Sequence, residues 1–325
     1  MQKNANLINI LYINGNSYML KYVGIKILDI WGKIGIAPGW HYQSIEKFSL
    51  MLKNPFYVTG ILPNGCFISC NLKDHVQSQI YFLGVYEPIE SYLFTKMLKP
   101  GMTVIDAGAN VGQYSLLAAN LVGANGSVHS FEPVPKTFAI LNNNVVNNKI
   151  SNIYLNQAAL WNESKRIKLS LDKQMSDNIG SYTMGINDSF TEEVESISIS
   201  LDEYVASKSI KKVDLIKMDI EGAEFCALLG MKGIIERDYP IILAEINRIA
   251  LQKLGYNPEE IWVLLTNKFG YNGYLIDNGY FQELSDVSQI NQKNIVFIHR
   301  SVNDNFIKEN WDYKAVLRWA RKGKK

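Results

Sequence analysis

Four carboxylates, Asp106, Glu132, Asp219 and Glu245, fall at or near the ends of expected parallel strands. In an open α/β sheet such ends share one rim, and ligands bind there, near the point where strand order reverses. Acids gathered at that rim can accept hydrogen bonds from hydroxyls, attract a cation, or take a proton from a reacting group. Asp106 belongs to "VIDAGANVGQYSLLAA", Val104 to Ala119. There a strand passes through Gly108, Ala109, Asn110 and Gly112 before apolar residues resume at helical spacing. A turn of this kind leaves unpaired N–H groups at the helix start, which suit the anionic part of a nucleotide-like ligand. A dinucleotide loop reads G-x-G-x-x-G, whereas here the two glycines are separated by Ala109, Asn110 and Val111 and follow a carboxylate. The expected ligand therefore also carries a cation.

The elements that must position these residues alternate. Strands are expected at 102–107, 128–132 and 152–159, separated by helices at 112–122 and 135–148. "VDLIKMD", a helix at 221–236, "PIILAEI", a helix at 258–269, "GYLID" and "NIVFIH" follow. Such alternation predicts a parallel sheet wrapped by helices. The last two strands lack a connecting helix, so the sheet is expected to end in an antiparallel edge. "RIKLSL" and "VESISIS" read as extra strands flanking "SDNIGSYTMGIND". Upstream, Met1 to about Pro55 reads as an apolar, partly helical appendage, and "YVTGILPNGCFISCNL" as a hairpin around Pro63-Asn64-Gly65. "GVYEPIESYLFTKMLKPG" supplies a helix feeding the first strand. The expected organisation is an extension over 1–85, a main domain over 86–300 and a basic amphipathic tail over 301–325.

Composition narrows the class. The 325 residues, 47% hydrophobic, support a full core, and a formal charge of +2 does not suggest a nucleic-acid binder. Cys66, Cys70 and Cys226 lack C-x-x-C spacing and read as buried thiols in a reducing compartment. No secretory signal is read at the start, and Lys26, Asp29 and Lys33 interrupt the most apolar early run, which is not expected to span a bilayer. A cytoplasmic protein is expected. The tail "WDYKAVLRWARKGKK" could rest on an anionic membrane or a lipid-linked substrate, although a solvated, frayed terminus has the same composition. Oligomeric state is not legible.

Taken together, "TVIDAGANVGQYSLLAA", "VHSFEPVPKTFAILNNNVVNN", "NIYLNQAAL", "SISLDEYV" and "VDLIKMDIEGAEFCALLGMKGIIERDYPIILAEI" resemble class I S-adenosylmethionine-dependent methyltransferases, specifically the FkbM family of O-methyltransferases. The resemblance runs from about Tyr86 to Ile246. It implies an α/β, Rossmann-like, doubly wound sheet of seven strands whose last is antiparallel, with S-adenosyl-L-methionine as cofactor. Glu132, beside Pro133, would then accept hydrogen bonds from the ribose hydroxyls. Asp106, Gly108, Ala109, Asn110 and Gly112 would cradle the methionine and ribose portions, Gln157 and Ala158 would lie beside the adenine, and Tyr86 and Glu87 would close over the amino-acid end.

Methyl transfer to a hydroxyl is an in-line displacement that depends on alignment and on removal of the acceptor proton. "MDIEGAE" offers Asp219 as base or acceptor-orienting residue. Glu221 is a second candidate, and it and Glu224 also suit the dipole at a helix start. Glu245 and Asn247 could bind acceptor hydroxyls, or join Asp219 in a hard-ligand site for a divalent cation, which the resemblance does not require. His299 is expected at the opposite rim, with Asn294 at the active one, and His41, His75 and His129 read as structural or exposed. Asp177, Asn178 and Ser181 could offer polar contacts on the acceptor side. The expected partner is a small-molecule or glycan acceptor, such as a sugar or secondary metabolite. A nicotinamide-dependent oxidoreductase and a noncatalytic module retaining the fold remain alternatives.

Overall fold

The computed structural model describes residues 15–34, 38–172, 182–183, 190–277, 280–302 and 312–324. Helices α1 (Gly15–Ile34) and α2 (Pro38–Met51) lead to the hairpin β1 (Tyr57–Ile61) and β2 (Phe67–Asn71), then to α3 (His75–Leu83) and α4 (Pro88–Met97). The central alternation follows: β3 (Thr103–Ala107), α5 (Gln113–Val122), β4 (Ser127–Phe131), α6 (Pro135–Asn147) and β5 (Ile153–Asn156). An inserted segment contributes β6 (Ala159–Leu160), β7 (Lys165–Asp172), β8 (Tyr182–Thr183) and β9 (Phe190–Ile199), and ends in α7 (Leu201–Ser207). The chain returns through β10 (Leu215–Met218), α8 (Glu224–Leu229), α9 (Lys232–Asp238) and β11 (Ile241–Asn247). It continues with α10 (Arg248–Lys253), α11 (Pro258–Trp262), β12 (Tyr271–Asp277), β13 (Tyr280–Glu283), β14 (Gln292–His299) and α12 (Tyr313–Ala320).

The main sheet has the order β13-β12-β14-β11-β10-β3-β4-β5. Strands β5, β4, β3, β10 and β11 are mutually parallel, and β14 runs antiparallel between β11 and β12. The doubly wound α/β architecture is therefore present, with two differences from expectation. An eighth strand, β13, forms the edge by hairpin pairing with β12, and the antiparallel β14 lies inside the sheet. After β5 the chain crosses to the other side of β3 and enters β10. The order thus reverses between β3 and β10, which places Asp106 and Asp219 beside the reversal.

Burial explains the strand sequences: all four residues of β10 are buried, and β3 and β4 are buried at every position but the first. A run covered on both faces has no alternation to show. One apolar layer joins Val104, Leu116 and Leu117 to Ile68 and Ile80, so the N-terminal hairpin and α3 complete this side of the core. Fully burying Ile68 and Ile80 contributes about 1.5–3 kcal/mol each. The opposite layer packs Ile216, Leu228 and Ile242.

Several element boundaries differ from the sequence pattern for local reasons. The helix expected at 221–236 is two helices, because the Gly230 carbonyl accepts from Asp202 N (3.0 Å) and Ser200 Oγ (2.8 Å). The strand expected at 152–159 leaves the main sheet after Asn156, and Ala159–Leu160 pairs with β9 in a separate sheet of order β6-β9-β7-β8. The helix expected at 258–269 becomes a π-helical turn over Val263–Lys268. α12 is a docked helix, neither frayed nor presenting a free apolar face: Val316 and Ala320 are fully buried, and Trp319 meets Tyr92 at 5.4 Å. Trp311 lies outside the described residues. Cys66, Cys70 and Cys226 are buried and form no disulfide among the described residues. No helix among the described residues is long and apolar enough to cross a membrane.

Candidate active site

The glycine loop is anchored from below: Gly108 N and Ala109 N both donate to the Phe131 carbonyl at 3.0 Å. Gly108 has φ +77, and a Cβ there would lie 1.9 Å from the Asp219 carbonyl oxygen. The residue is glycine because the β3 loop presses directly on the end of β10. Asn110 also adopts a left-handed backbone, φ +48, which turns its N–H toward Glu132 Oε2 at 2.9 Å. Val134 N donates to the other oxygen, Oε1, at 3.0 Å. Each Glu132 oxygen thus accepts one backbone bond and keeps a second acceptor direction. Burial raises the Glu132 carboxyl to about 7, against the pull of these two bonds.

Asp106 sits one layer deeper than expected. It is fully buried and does not line the cavity, and its Oδ2 accepts from Ser115 Oγ while Oδ1 has no hydrogen-bond partner. Directly across the β3–β10 pairing stands Lys217, 5% exposed. Its Nζ lies 3.3 Å from Asp219 Oδ2 and 4.7 Å from the centre of the Tyr114 ring. Burial disfavours the Lys217 ammonium, but Asp219, Asp106 and Glu87 together outweigh it and raise its pKa.

A second tier of acids closes the rim. Glu87 accepts from Tyr114 OH at 3.3 Å and from Asn294 Nδ2 at 3.2 Å, so Asn294 is at the active rim as the antiparallel strand implied. Burial, then the neighbouring Asp219, raises Glu87 to about 8. Glu245 accepts from Gln292 Nε2 at 2.7 Å, and burial and Asp219 raise it to about 9. Gln113 grips the Tyr86 backbone from both sides: its Oε1 accepts from Tyr86 N at 2.6 Å and its Nε2 donates to Tyr86 O at 3.0 Å. Glu224 stands in the first turn of α8, as the dipole reading expects, and it is also a buried brace. Its Oε1 accepts from Ile220 N and Gly222 N, which holds Glu221 at φ +53. Glu87, Asn110 and Glu221 are three of the six described non-glycine residues with positive φ, and all three belong to loops at this rim. Strained backbone of this kind concentrates at functional sites.

Two adjoining cavities result. The larger, about 190 Å³, is lined by Tyr86, the loop residues Gly108, Ala109 and Asn110, and the polar side chains of Glu132, Lys217, Asp219, Glu221 and Glu245. The smaller, about 50 Å³, shares Gly108, Glu132, Asp219 and Glu221 and adds Pro133, Ala158 and the apolar Phe131, Val134 and Leu160. Gly112 does not line either cavity and packs on Leu141 instead. Gln157 is exposed and faces a different groove beside Arg166 and Ser196, because the chain has already left the main sheet there. Asn247 lines the larger cavity and caps α10 through Ala250 N, at 3.2 Å. His299 is at the opposite rim, stacked on Tyr239, and His129 is buried against Tyr204. Asp177, Asn178 and Ser181 lie outside the described residues.

Sequence reasoning passed over Lys217, Gln113, Tyr114 and Gln292, and also Val76 and Ile80 of the N-terminal extension, which reach the larger cavity. The available signal for Lys217 was a charge inside an otherwise apolar parallel strand. Among the described residues, no group of three or more His, Cys, Asp or Glu side chains is arranged to hold a metal ion.

Residues 106–273 match the family described as the Methyltransferase FkbM domain. The chain belongs to the FkbM methyltransferase family. It is 27% identical over 181 residues to 31-O-demethyl-FK506 methyltransferase FkbM of Streptomyces tacrolimicus, covering 47% of this chain and 68% of that protein. It is 26% identical over 144 residues to Methyltransferase 1 of Beauveria bassiana (strain ARSEF 2860), covering 39% of this chain and 57% of that protein. The crystal structure of Methyltransferase FkbM from Methylobacillus flagellatus KT is similar with a TM-score of 0.40 at 14% identity, covering 83% of this chain and 60% of that one.

Proposed function

We propose that this FkbM-family chain transfers a methyl group from S-adenosylmethionine to a hydroxyl oxygen of a small molecule or glycan. The observation that carries the proposal is the joining of Glu132, the glycine loop and the Asp219–Glu245 carboxylates in one pair of adjoining cavities. The residues fit the cofactor: Asn110 Oδ1, on the cavity wall, is a buried acceptor without a hydrogen-bond partner, and Glu132 has acceptor directions to spare. When bound, the cofactor supplies an electrophilic methyl group on a sulfonium.

Glu132 would accept the ribose hydroxyls, and the apolar wall of Pro133, Val134, Ala158 and Leu160 suits the adenine. Gly108, Ala109 and Asn110 would line the ribose and methionine portions, with Asp106 supporting them from beneath. Tyr86, locked by Gln113, would cover the amino-acid end, and Glu87 would brace it through Tyr114. Asp219 would orient the acceptor hydroxyl and take its proton as the new bond forms; a positioned base of this kind contributes roughly 10²–10⁴-fold. Glu245 and Glu221 would bind further acceptor hydroxyls, and burial and the neighbouring Asp219 push the Glu245 carboxyl up, toward its protonated form, in which it would donate as well as accept. Carboxylates along this rim disfavour a phosphodiester backbone, which supports a small acceptor over nucleic acid.

The test is incubation with S-adenosylmethionine and a panel of sugars, glycans and hydroxylated secondary metabolites, read by mass spectrometry and by NMR of the product. Gain of one methylene mass at an oxygen, with release of S-adenosylhomocysteine, is expected. Methylation confined to nitrogen, or no binding of either cofactor form, would refute the proposal.

A further inference from the structure

Lys217 is the only basic side chain among the described residues lining the two cavities. A buried lysine in a site expected to hold a sulfonium is at first sight misplaced, because like charges repel in a low-dielectric cavity. It faces acidic and aromatic groups: Asp106 across the strand pairing, Asp219 at 3.3 Å, the Tyr114 face at 4.7 Å, and Glu87 bonded to Tyr114. The donor and the spent cofactor differ by one positive charge, which disappears as the methyl group leaves. Unopposed carboxylates would stabilise the donor most strongly in its ground state, where that charge is complete. Such stabilisation deepens binding without lowering the barrier.

We propose that Lys217 is a specificity-determining residue whose ammonium offsets the rim carboxylates and so limits the site's preference for the cationic donor over the neutral product. The inference rests on the methyl-donor reading above and concerns equilibrium binding, not turnover. Lys217 holds its place without a ligand because three acids favour its charge and its ammonium lies over the Tyr114 ring. Its effect on a bound cofactor is through the field in the cavity. Replacing it with a neutral side chain leaves one more uncompensated negative charge facing the ligand.

Calorimetric titration of S-adenosylmethionine and of S-adenosylhomocysteine into the full chain tests this at fixed pH and salt. Wild type is compared with Lys217→Met, Lys217→Gln and Lys217→Arg, each checked for folding by thermal melting. Both neutral variants are expected to raise the donor-to-product affinity ratio on the order of tenfold, and Lys217→Arg to leave it within about threefold. An unchanged or reduced ratio in the neutral variants overturns the proposal, as does an equal loss of both ligands, which would mark Lys217 as structural or as a contact to a group common to both. If neither neutral variant folds, wild type alone decides: a donor preference within about tenfold supports the offset, and a larger one contradicts it. Failure of wild type to bind either ligand instead removes the methyl-donor reading itself.

Discussion

Replacing Glu132 with Gln separates the cofactor-binding role of this residue from its structural one. The carboxylate accepts from Asn110 N at 2.9 Å and Val134 N at 3.0 Å. Glutamine keeps one acceptor and turns an NH₂ toward the other backbone donor, so one charge-assisted bond is lost, about 1.5–3 kcal/mol. The change also removes a buried charge whose pKa is raised from 4.5 to about 7. That rise corresponds to about 3 kcal/mol of destabilisation in the ionised state. Because that rise already sets the two backbone bonds against burial, stability above pH 7 is expected to be unchanged or raised, by at most about 3 kcal/mol. Affinity behaves differently. One ribose hydroxyl loses its ionised acceptor, so S-adenosylhomocysteine should bind roughly 10- to 100-fold more weakly at pH 8.

The pH dependence follows from the sign of the shift. The folded state holds the Glu132 proton up to about pH 7, whereas the unfolded chain releases it near 4.5. This residue therefore subtracts stability progressively as pH rises through that interval, with no further change above it. Ligand affinity should rise over the upper part of the same interval, because the ionised carboxylate is the better acceptor. Other buried groups titrate nearby, so the informative quantity is the wild-type minus variant difference, measured by denaturant unfolding and by calorimetry between pH 5 and 8.5. Equal affinities, or a pH dependence that survives in Glu132→Gln, would refute the assignment.

Asp219→Asn should slow transfer by on the order of 100-fold or more while leaving S-adenosylhomocysteine affinity within about threefold, as read by single-turnover kinetics and titration. Equal, negligible effects on both would contradict the division of labour with Glu132. Gly108→Ala should destabilise the fold by more than about 2 kcal/mol, since its Cβ would strike the Asp219 carbonyl from a positive φ; an unchanged denaturation midpoint would show that the loop is not pinned there. Burial lowers His129 to about 4, against a usual 6.5. The unfolded chain takes up that proton first, so stability falls as pH drops from about 6.5 toward 4. His129→Phe should flatten this part of the stability curve.

The main sheet was legible because its central strands are covered on both faces and read as unbroken apolar runs between helical patterns. Asp106, Glu132, Asp219 and Glu245 were legible because strand ends in a parallel sheet share a rim. What the pattern could not convey was depth. Asp106 and Glu224 are acids like the others by sequence, but one lies beneath the cavity floor and the other braces a turn. Lys217 was hidden because its significance depends on three acids from separate segments meeting around it. Gln157 was misplaced because the strand after Asn156 changes sheets, a step set by pairing with β9 some forty residues later. The contribution of Val76 and Ile80 was equally hidden, since no local feature of "HVQSQIYFL" shows that this helix packs over a rim built mostly from residues after Gly101.

The most direct measurement is a side-by-side titration of the full chain with S-adenosylmethionine, S-adenosylhomocysteine and reduced nicotinamide dinucleotide. Saturable binding of the first two, lost in Glu132→Ala and absent for the third, is predicted. Binding of the nicotinamide with no response to either sulfur ligand would contradict a sulfonium site in the acid-lined cavity.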